Sequence, residues 1–316
     1  MRKLIIVTMI SIVITTISFY SCRNNKHSQF NNNEDSLKAV IAHGEYLANH
    51  VAACIHCHSK RDFSKYSGPV IPGTEGGGGE IFDIRTATLY GKNITPDTAT
   101  GIGSWTDDEI LRAITKGISK NGDTLYPLMP YKHFNKMDKK DLISIIAYLR
   151  TLKPIKNNVP ARGPKVPLSA IYPVEELQAS LEMNICPDKS DTVKYGEYLV
   201  TVGDCTGCHS TVINNKFNAE LLLGGGGMFK KDSFAVFAAN ITPDSTTGIG
   251  TWTEEIFLNK FKLYRERKNY DYDPGKYNTI MPISDFAGMT DEDLKAIYAY
   301  LRTVPPISNK VEKYPK

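Results

Sequence analysis

Two stretches of this chain carry the same ordered string of motifs, so whatever fold it adopts has to build one unit twice. Gly44-Glu45-Tyr46-Leu47 returns as Gly196-Glu197-Tyr198-Leu199, and the four glycines from Gly76 return from Gly224. The run Asn93-Ile94-Thr95-Pro96-Asp97, then Gly101-Ile102-Gly103 and Trp105-Thr106, returns from Asn240 through Trp252-Thr253. Met129-Pro130 matches Met281-Pro282, and Ala147-Tyr148-Leu149-Arg150-Thr151 matches Ala299-Tyr300-Leu301-Arg302-Thr303. Self-similarity of this kind marks duplicated structural units. The spacing between partners varies from motif to motif, which puts the length changes in loops. Two domains are expected, over residues 35–155 and 190–316. A linker at 156–189 joins them, where Pro160, Pro164, Pro167, Pro173 and Pro187 break helices and favour extended chain.

Composition agrees with two globular domains: 316 residues, 41% hydrophobic and 23% charged. The net charge of +4 comes with no basic block that would track a phosphate backbone, so nucleic acid is set aside as a partner. Periodicity within each copy is helical. Leu37, Val40, Ile41, Tyr46 and Leu47 form one apolar stripe, Ile110, Leu111 and Ile114 a second, and Leu142, Ile145, Ile146 and Leu149 a third. Thr106 with Glu109 has the form of a capping box, and Thr290 with Asp293 does similarly. An all-α fold is the expectation.

Four of the six cysteines lie in Cys54-Ile55-His56-Cys57-His58 and Cys205-Thr206-Gly207-Cys208-His209. Two thiols at this spacing can each form a thioether to a porphyrin vinyl group while the next residue offers its imidazole to the iron, the pattern of c-type haem attachment. Two covalently bound haem c groups are expected, one per copy, with His58 and His209 on the irons. A zinc site would want four Cys or His ligands, yet the second domain has only one histidine, His209. A redox dithiol would not explain the histidine after each pair.

The haem of the second copy cannot be bis-histidine unless the first domain reaches across, so methionine is the next candidate for the sixth iron ligand, with Met228, Met281 and Met289 as the choices. Only Met281 combines a repeated context, shared with Met129, with a following proline that stiffens the chain. Met137 and Met289 read as core. In the first copy His43, His50, His56 and His133 rival Met129, and His56, inside the attachment loop, is expected to be solvated. Trp105 and Trp252 suit either a haem propionate or core packing. Gly44 with Tyr148 and Gly196 with Tyr300 suggest close helix crossings that admit an aromatic ring. The glycine runs lack the Lys-Ser/Thr of a phosphate loop and read as turns.

At the amino terminus, Met1, Arg2 and Lys3 precede an apolar run from Leu4 to Tyr20, which reads as an export signal over residues 1–21. Phe19-Tyr20-Ser21-Cys22 resembles the lipobox of bacterial lipoproteins, although Phe19 and Tyr20 depart from its usual small and aliphatic residues. Lipidation at Cys22 would anchor the protein to a membrane on the periplasmic side. The polar segment 22–34 reads as a tether. Cys186 is left without a partner.

The order of attachment motif, glycine run, Asn-Ile-Thr-Pro-Asp, Gly-Ile-Gly-x-Trp-Thr, Met-Pro and a helix ending Ala-Tyr-Leu-Arg resembles the class I cytochrome c subunits of membrane-bound alcohol and gluconate dehydrogenases. The resemblance implies two tandem class I cytochrome c folds, with axial pairs His58–Met129 and His209–Met281. It also implies a non-enzymatic relay of single electrons, from a dehydrogenase donor to an oxidase or another cytochrome. Those relatives generally carry three haem domains and this chain has two. A di-haem oxidoreductase of the peroxidase or thiosulfate dehydrogenase kind is the competing expectation. It requires His133, a lysine, a cysteine or an open position at one iron.

Overall fold

A computed structural model of the protein describes residues 34–84, 87–161, 185–213, 216–231 and 233–315. The export segment, Cys22, the tether to residue 33 and most of the expected linker lie outside the described residues. Among the described residues no helix is long and apolar enough to cross a membrane.

The first half begins with a helix over 34–46 (α1) that widens into a π-turn at Leu47–Val51, then the single turn Cys54–Cys57 (α2). The hairpin Ile81–Ile84 (β1) and Ala87–Tyr90 (β2) follows, then Asp107–Lys116 (α3), Tyr131–Phe134 (α4) and Lys139–Leu149 (α5). The second half has Thr192–Val202 (α6), Cys205–Cys208 (α7), the short pair Val212–Ile213 (β3) and Lys216–Phe217 (β4), and the hairpin Met228–Lys231 (β5) and Phe234–Phe237 (β6). It ends with Glu254–Lys262 (α8), Ile283–Phe286 (α9) and Asp291–Leu301 (α10).

Helices dominate, but the all-α expectation is corrected by three two-stranded antiparallel sheets among the described residues. In the long hairpins Ile81 faces Tyr90, and Met228 faces Phe237. Leu89, Phe234 and Val236 turn inward in alternation. Four residues of period-two pattern are too few to stand out against the helical stripes around them.

The capping box at Thr106 is complete: its hydroxyl accepts from the Glu109 N–H at 3.2 Å and Glu109 Oε2 accepts from the Thr106 N–H at 2.9 Å. At Thr290 only half of it forms, with the hydroxyl accepting from the Asp293 N–H at 3.1 Å. The Asp293 carboxylate is engaged elsewhere. Both glycine crossings exist, but what they admit is corrected. A Cβ on Gly44 would lie 1.8 Å from the Ser144 carbonyl oxygen, and one on Gly196 would lie 1.9 Å from that of Ala296. Backbone rather than a tyrosine ring fills the space, with only Cβ of Tyr300 close by at 2.9 Å. Leu37, expected in the first apolar stripe, is exposed, because α1 meets the core only from Gly44 onward.

Asn93 and Asn240 organise the loops between hairpin and helix. Each buried side chain accepts through Oδ1 from the backbone and hydroxyl of Thr95 or Thr242. Each donates through Nδ2 to the Ile155 or Ile307 carbonyl at 2.7 Å. The chain after α5 therefore returns across its own half, with Asn157 reaching the Gly77 carbonyl at 2.8 Å as Asn309 reaches that of Gly224 at 2.9 Å.

One continuous apolar core, including Leu47, Leu142, Ile145, Leu199, Leu294 and Leu301, runs through both halves. The polar contacts between them are reciprocal. The Tyr46 hydroxyl donates to Asp293 at 2.6 Å and accepts from the Thr290 N–H at 3.1 Å. The Tyr198 hydroxyl donates to Asp141 and accepts from the Asp138 N–H at 3.1 Å. Each tyrosine thus caps the last helix of the opposite half.

Candidate functional site

Both Cys-x-x-Cys-His segments are entered through a residue in the left-handed region, Ala53 at φ 49° and Asp204 at φ 51°. The chain then makes one helical turn, closed by the His58 N–H on the Cys54 carbonyl and the His209 N–H on that of Cys205. A single turn sets residues three apart on one side, so the two thiols of each pair share a face. Asp204 also steadies its turn by accepting from the Gly207 N–H at 3.1 Å.

The imidazoles are held alike. Nδ1 of His58 lies 2.7 Å from the Lys92 carbonyl oxygen, and Nδ1 of His209 lies 2.7 Å from that of Ala239. A carbonyl only accepts, so Nδ1 carries the proton and Nε2 keeps its lone pair for a metal. Burial lowers both histidines' pKa below the ordinary value, keeping the neutral, ligating form. The glycine runs do more than turn the chain. The Gly78 N–H donates to the His58 carbonyl at 2.7 Å, and the Gly225 N–H to the His209 carbonyl at 2.8 Å. Gly78 sits at φ +72°, where a Cβ would lie 2.6 Å from the Gly91 carbonyl oxygen. The recurrence of these glycines in both halves was the sequence signal for this role.

The thiols of Cys54, Cys57, Cys205 and Cys208 are free. Cys57 has exposed surface, and desolvation pushes its thiol up to about 11. Burial likewise pushes Cys54 and Cys205 to about 12 and raises Cys208. A redox-active dithiol needs the opposite shift. Among the described residues no group of three or more His, Cys, Asp or Glu is placed to cage a metal ion. Two neutral thiols beside an imidazole with a free Nε2 are the donor set that a covalent haem c requires, so these residues fit that group.

Met129 and Met281 each precede a short helix opened by proline, Pro130 at φ −80°, ψ 51° and Pro282 at φ −76°, ψ 58°. Both side chains are partly buried. Met137 and Met289 are core residues, and Met228 is exposed on β5. The rival histidines are engaged with other groups. His43 Nε2 is 2.7 Å from Asp141, and His50 Nδ1 is 2.8 Å from the Asp285 carbonyl. His133 Nδ1 is 2.6 Å from Asp204 of the other half. The solvated His56 expected in the attachment loop is corrected: it is 3% exposed, with Nδ1 2.5 Å from the Asp285 carboxylate. That loop lies against the second half, where α9 covers it. Trp105 and Trp252 pack on the core edge, and Lys260 Nζ sits 5.3 Å above the Trp252 ring.

Residues 193–305 match the cytochrome c family. Over 285 residues, 86% of this chain and 58% of the relative, the chain is 29% identical to the cytochrome c subunit of a quinone alcohol dehydrogenase from Gluconacetobacter polyoxogenes. It is 26% identical to the gluconate 2-dehydrogenase cytochrome c subunit of Pantoea cypripedii, across 94% of this chain and 65% of that one. It is also 26% identical to a diheme c-type cytochrome of Cereibacter sphaeroides, across 80% of this chain and 82% of the relative. The chain spans less than two thirds of the length of these two dehydrogenase subunits.

Proposed function

Residues 193–305 are a cytochrome c domain, and on that premise we propose that the whole chain is a duplicated, two-haem electron carrier. Its domains cover residues 35–155 and 190–316, with the Pro-rich stretch between them as linker. Cys54 and Cys57 in the first half, and Cys205 and Cys208 in the second, form the thioethers. His58 with Met129 would hold one iron, and His209 with Met281 the other. The observation that carries this reading is the matched pair of imidazoles, each fixed through Nδ1 to a backbone carbonyl with Nε2 left to ligate.

Haem iron supplies a one-electron couple, which methionine–histidine ligation shifts to higher potential. The protein's own part is positional. The Lys92 and Ala239 carbonyls orient the imidazoles, and Gly78 and Gly225 pin the carbonyls of those histidines. His133 meets Asp204 through Nδ1, which leaves its Nε2 as free as those of His58 and His209, so Met129 is preferred to it on the Met-Pro context it shares with Met281. The dehydrogenase subunits among its relatives support a redox partner of that class as donor, with an oxidase or another cytochrome as acceptor. Lipidation at Cys22 would keep the carrier at the membrane surface outside the cytoplasm.

Pyridine haemochrome assay of protein made in a host competent for cytochrome maturation should return two haem c groups per chain. The methionine-to-iron charge-transfer band in the far red should disappear in the Met129→Ala, Met281→Ala double variant. A haem count below two, or a band that survives the double substitution, refutes the assignment.

A further inference from the structure

The first half reaches across to hold the second half's methionine. In the loop after His58, Ser67 is fully buried and adopts φ 69°, a backbone that side-chain-bearing residues rarely take. Its hydroxyl donates to the Met281 carbonyl at 2.6 Å and accepts from the Ile283 N–H at 3.1 Å, bracketing Pro282. The Ser67 N–H donates to Asn278 Oδ1 at 2.9 Å. Asn278 is 1% exposed, and its Nδ2 donates to the Phe63 and Lys65 carbonyls at 2.9 and 3.0 Å.

The brace is anchored at its other end. Arg61, three residues past His58, donates from Nε to the Gly68 carbonyl and from Nη2 to the Ser67 carbonyl, both at 2.8 Å. The longer segment between Trp252 and Met281 in the second half supplies Tyr264 and Tyr272, which stack on Tyr66 at 5.4 and 5.7 Å. Both methionines share one local bond, the Met129 carbonyl accepting from the Tyr131 N–H at 2.8 Å and that of Met281 from the Ile283 N–H at 2.7 Å. The Met129 N–H donates within its own loop, to the Tyr126 carbonyl at 3.1 Å, and the Ser67 hydroxyl is what Met281 gains from the opposite half.

We propose that Ser67, with Asn278, is a positioning residue that sets Met281 as an iron ligand from the opposite half, while Met129 is set by its own loop. This rests on the reading of Met281 as axial ligand. A thioether is a weak ligand, so its occupancy at the iron depends on how little freedom the chain behind it has. Ser67 removes that freedom by holding the backbone on both sides of Pro282.

The test uses the full, haem-loaded chain with Ser67→Ala, Ser67→Gly and Met281→Ala. Charge-transfer absorbance per haem and the midpoint potential of each haem are the readouts. Both Ser67 variants should keep two haems yet lose up to half of the band, and one midpoint potential should fall while the other stays. Glycine adopts φ 69° without strain, so a loss shared by Ser67→Gly belongs to the hydroxyl. Full band and unshifted potentials in both Ser67 variants, with half the band gone in Met281→Ala, overturn the brace. So does an equal loss at both haems. A full band in Met281→Ala instead overturns the ligand assignment beneath it.

Discussion

Replacing Tyr198 with phenylalanine tests how the two halves are joined. The Tyr198 hydroxyl is inside the protein, the residue being 7% exposed, and its acceptor Asp141 is 8% exposed. It donates to that carboxylate and accepts from the Asp138 N–H at the start of α5. A hydrogen bond to a charged group contributes about 1.5–3 kcal/mol and a neutral one about 1 kcal/mol. The ring stays packed in Tyr198→Phe, so the loss is about 3 kcal/mol. A chain of this size loses about 2 °C of melting temperature per kcal/mol, which puts the shift near 6 °C downward. Tyr46→Phe should cost less, because Asp293 retains two partners, the Tyr195 hydroxyl at 3.0 Å and Lys189 at 3.4 Å, whereas Asp141 retains His43 at 2.7 Å. Thermal unfolding of the haem-loaded variants, followed by far-ultraviolet circular dichroism, measures both. A Tyr198→Phe protein melting within about 1 °C of the parent would refute the claim that this contact holds the halves together.

The Asp141 hydrogen bond holds His43 above its ordinary 6.5, so its contribution to stability is complete below that value and fades as pH rises through the folded one. The stability difference between the parent and His43→Gln should therefore shrink as pH rises above the ordinary value of 6.5, and a difference constant with pH in urea titrations would contradict it. Gly91→Ala would put a Cβ 2.1 Å from the Cys57 carbonyl oxygen. Haem content should then fall towards one per chain, measured by haemochrome, with the second half still loaded.

What the sequence left legible was local. The cap at Thr106 and the inward faces of α3 and α5 follow from residues within a few turns of one another, whereas the glycine crossings, which join distant residues, were legible only because they recur in both copies. The roles of Asp141 and Asp293 did not. An aspartate in the first turn of a helix reads as a charge suited to the helix dipole, whereas here each accepts a tyrosine hydroxyl from the other half, a pairing no local pattern encodes. His56 was misread for the same reason, since its partner Asp285 lies far along the chain. The return segment was legible in principle. Pro154-Ile155-Lys156-Asn157 and Pro306-Ile307-Ser308-Asn309 repeat each other, but the first sits at the edge of a proline-rich stretch that draws attention as a linker.

The reciprocal tyrosine contacts bear on how such a chain could arise. On the proposed duplication, an ancestor with a single unit could satisfy its tyrosine and its helix-start carboxylate only against a second identical molecule, as in a two-fold dimer. Joining the units in one polypeptide frees the two faces from having to match. The present contacts use that freedom, with His133 meeting Asp204 on one side while Asp285 meets His56 on the other. Fusion thus lets one protein place an acid where its twin has a base, and so give the two proposed redox centres unlike surroundings.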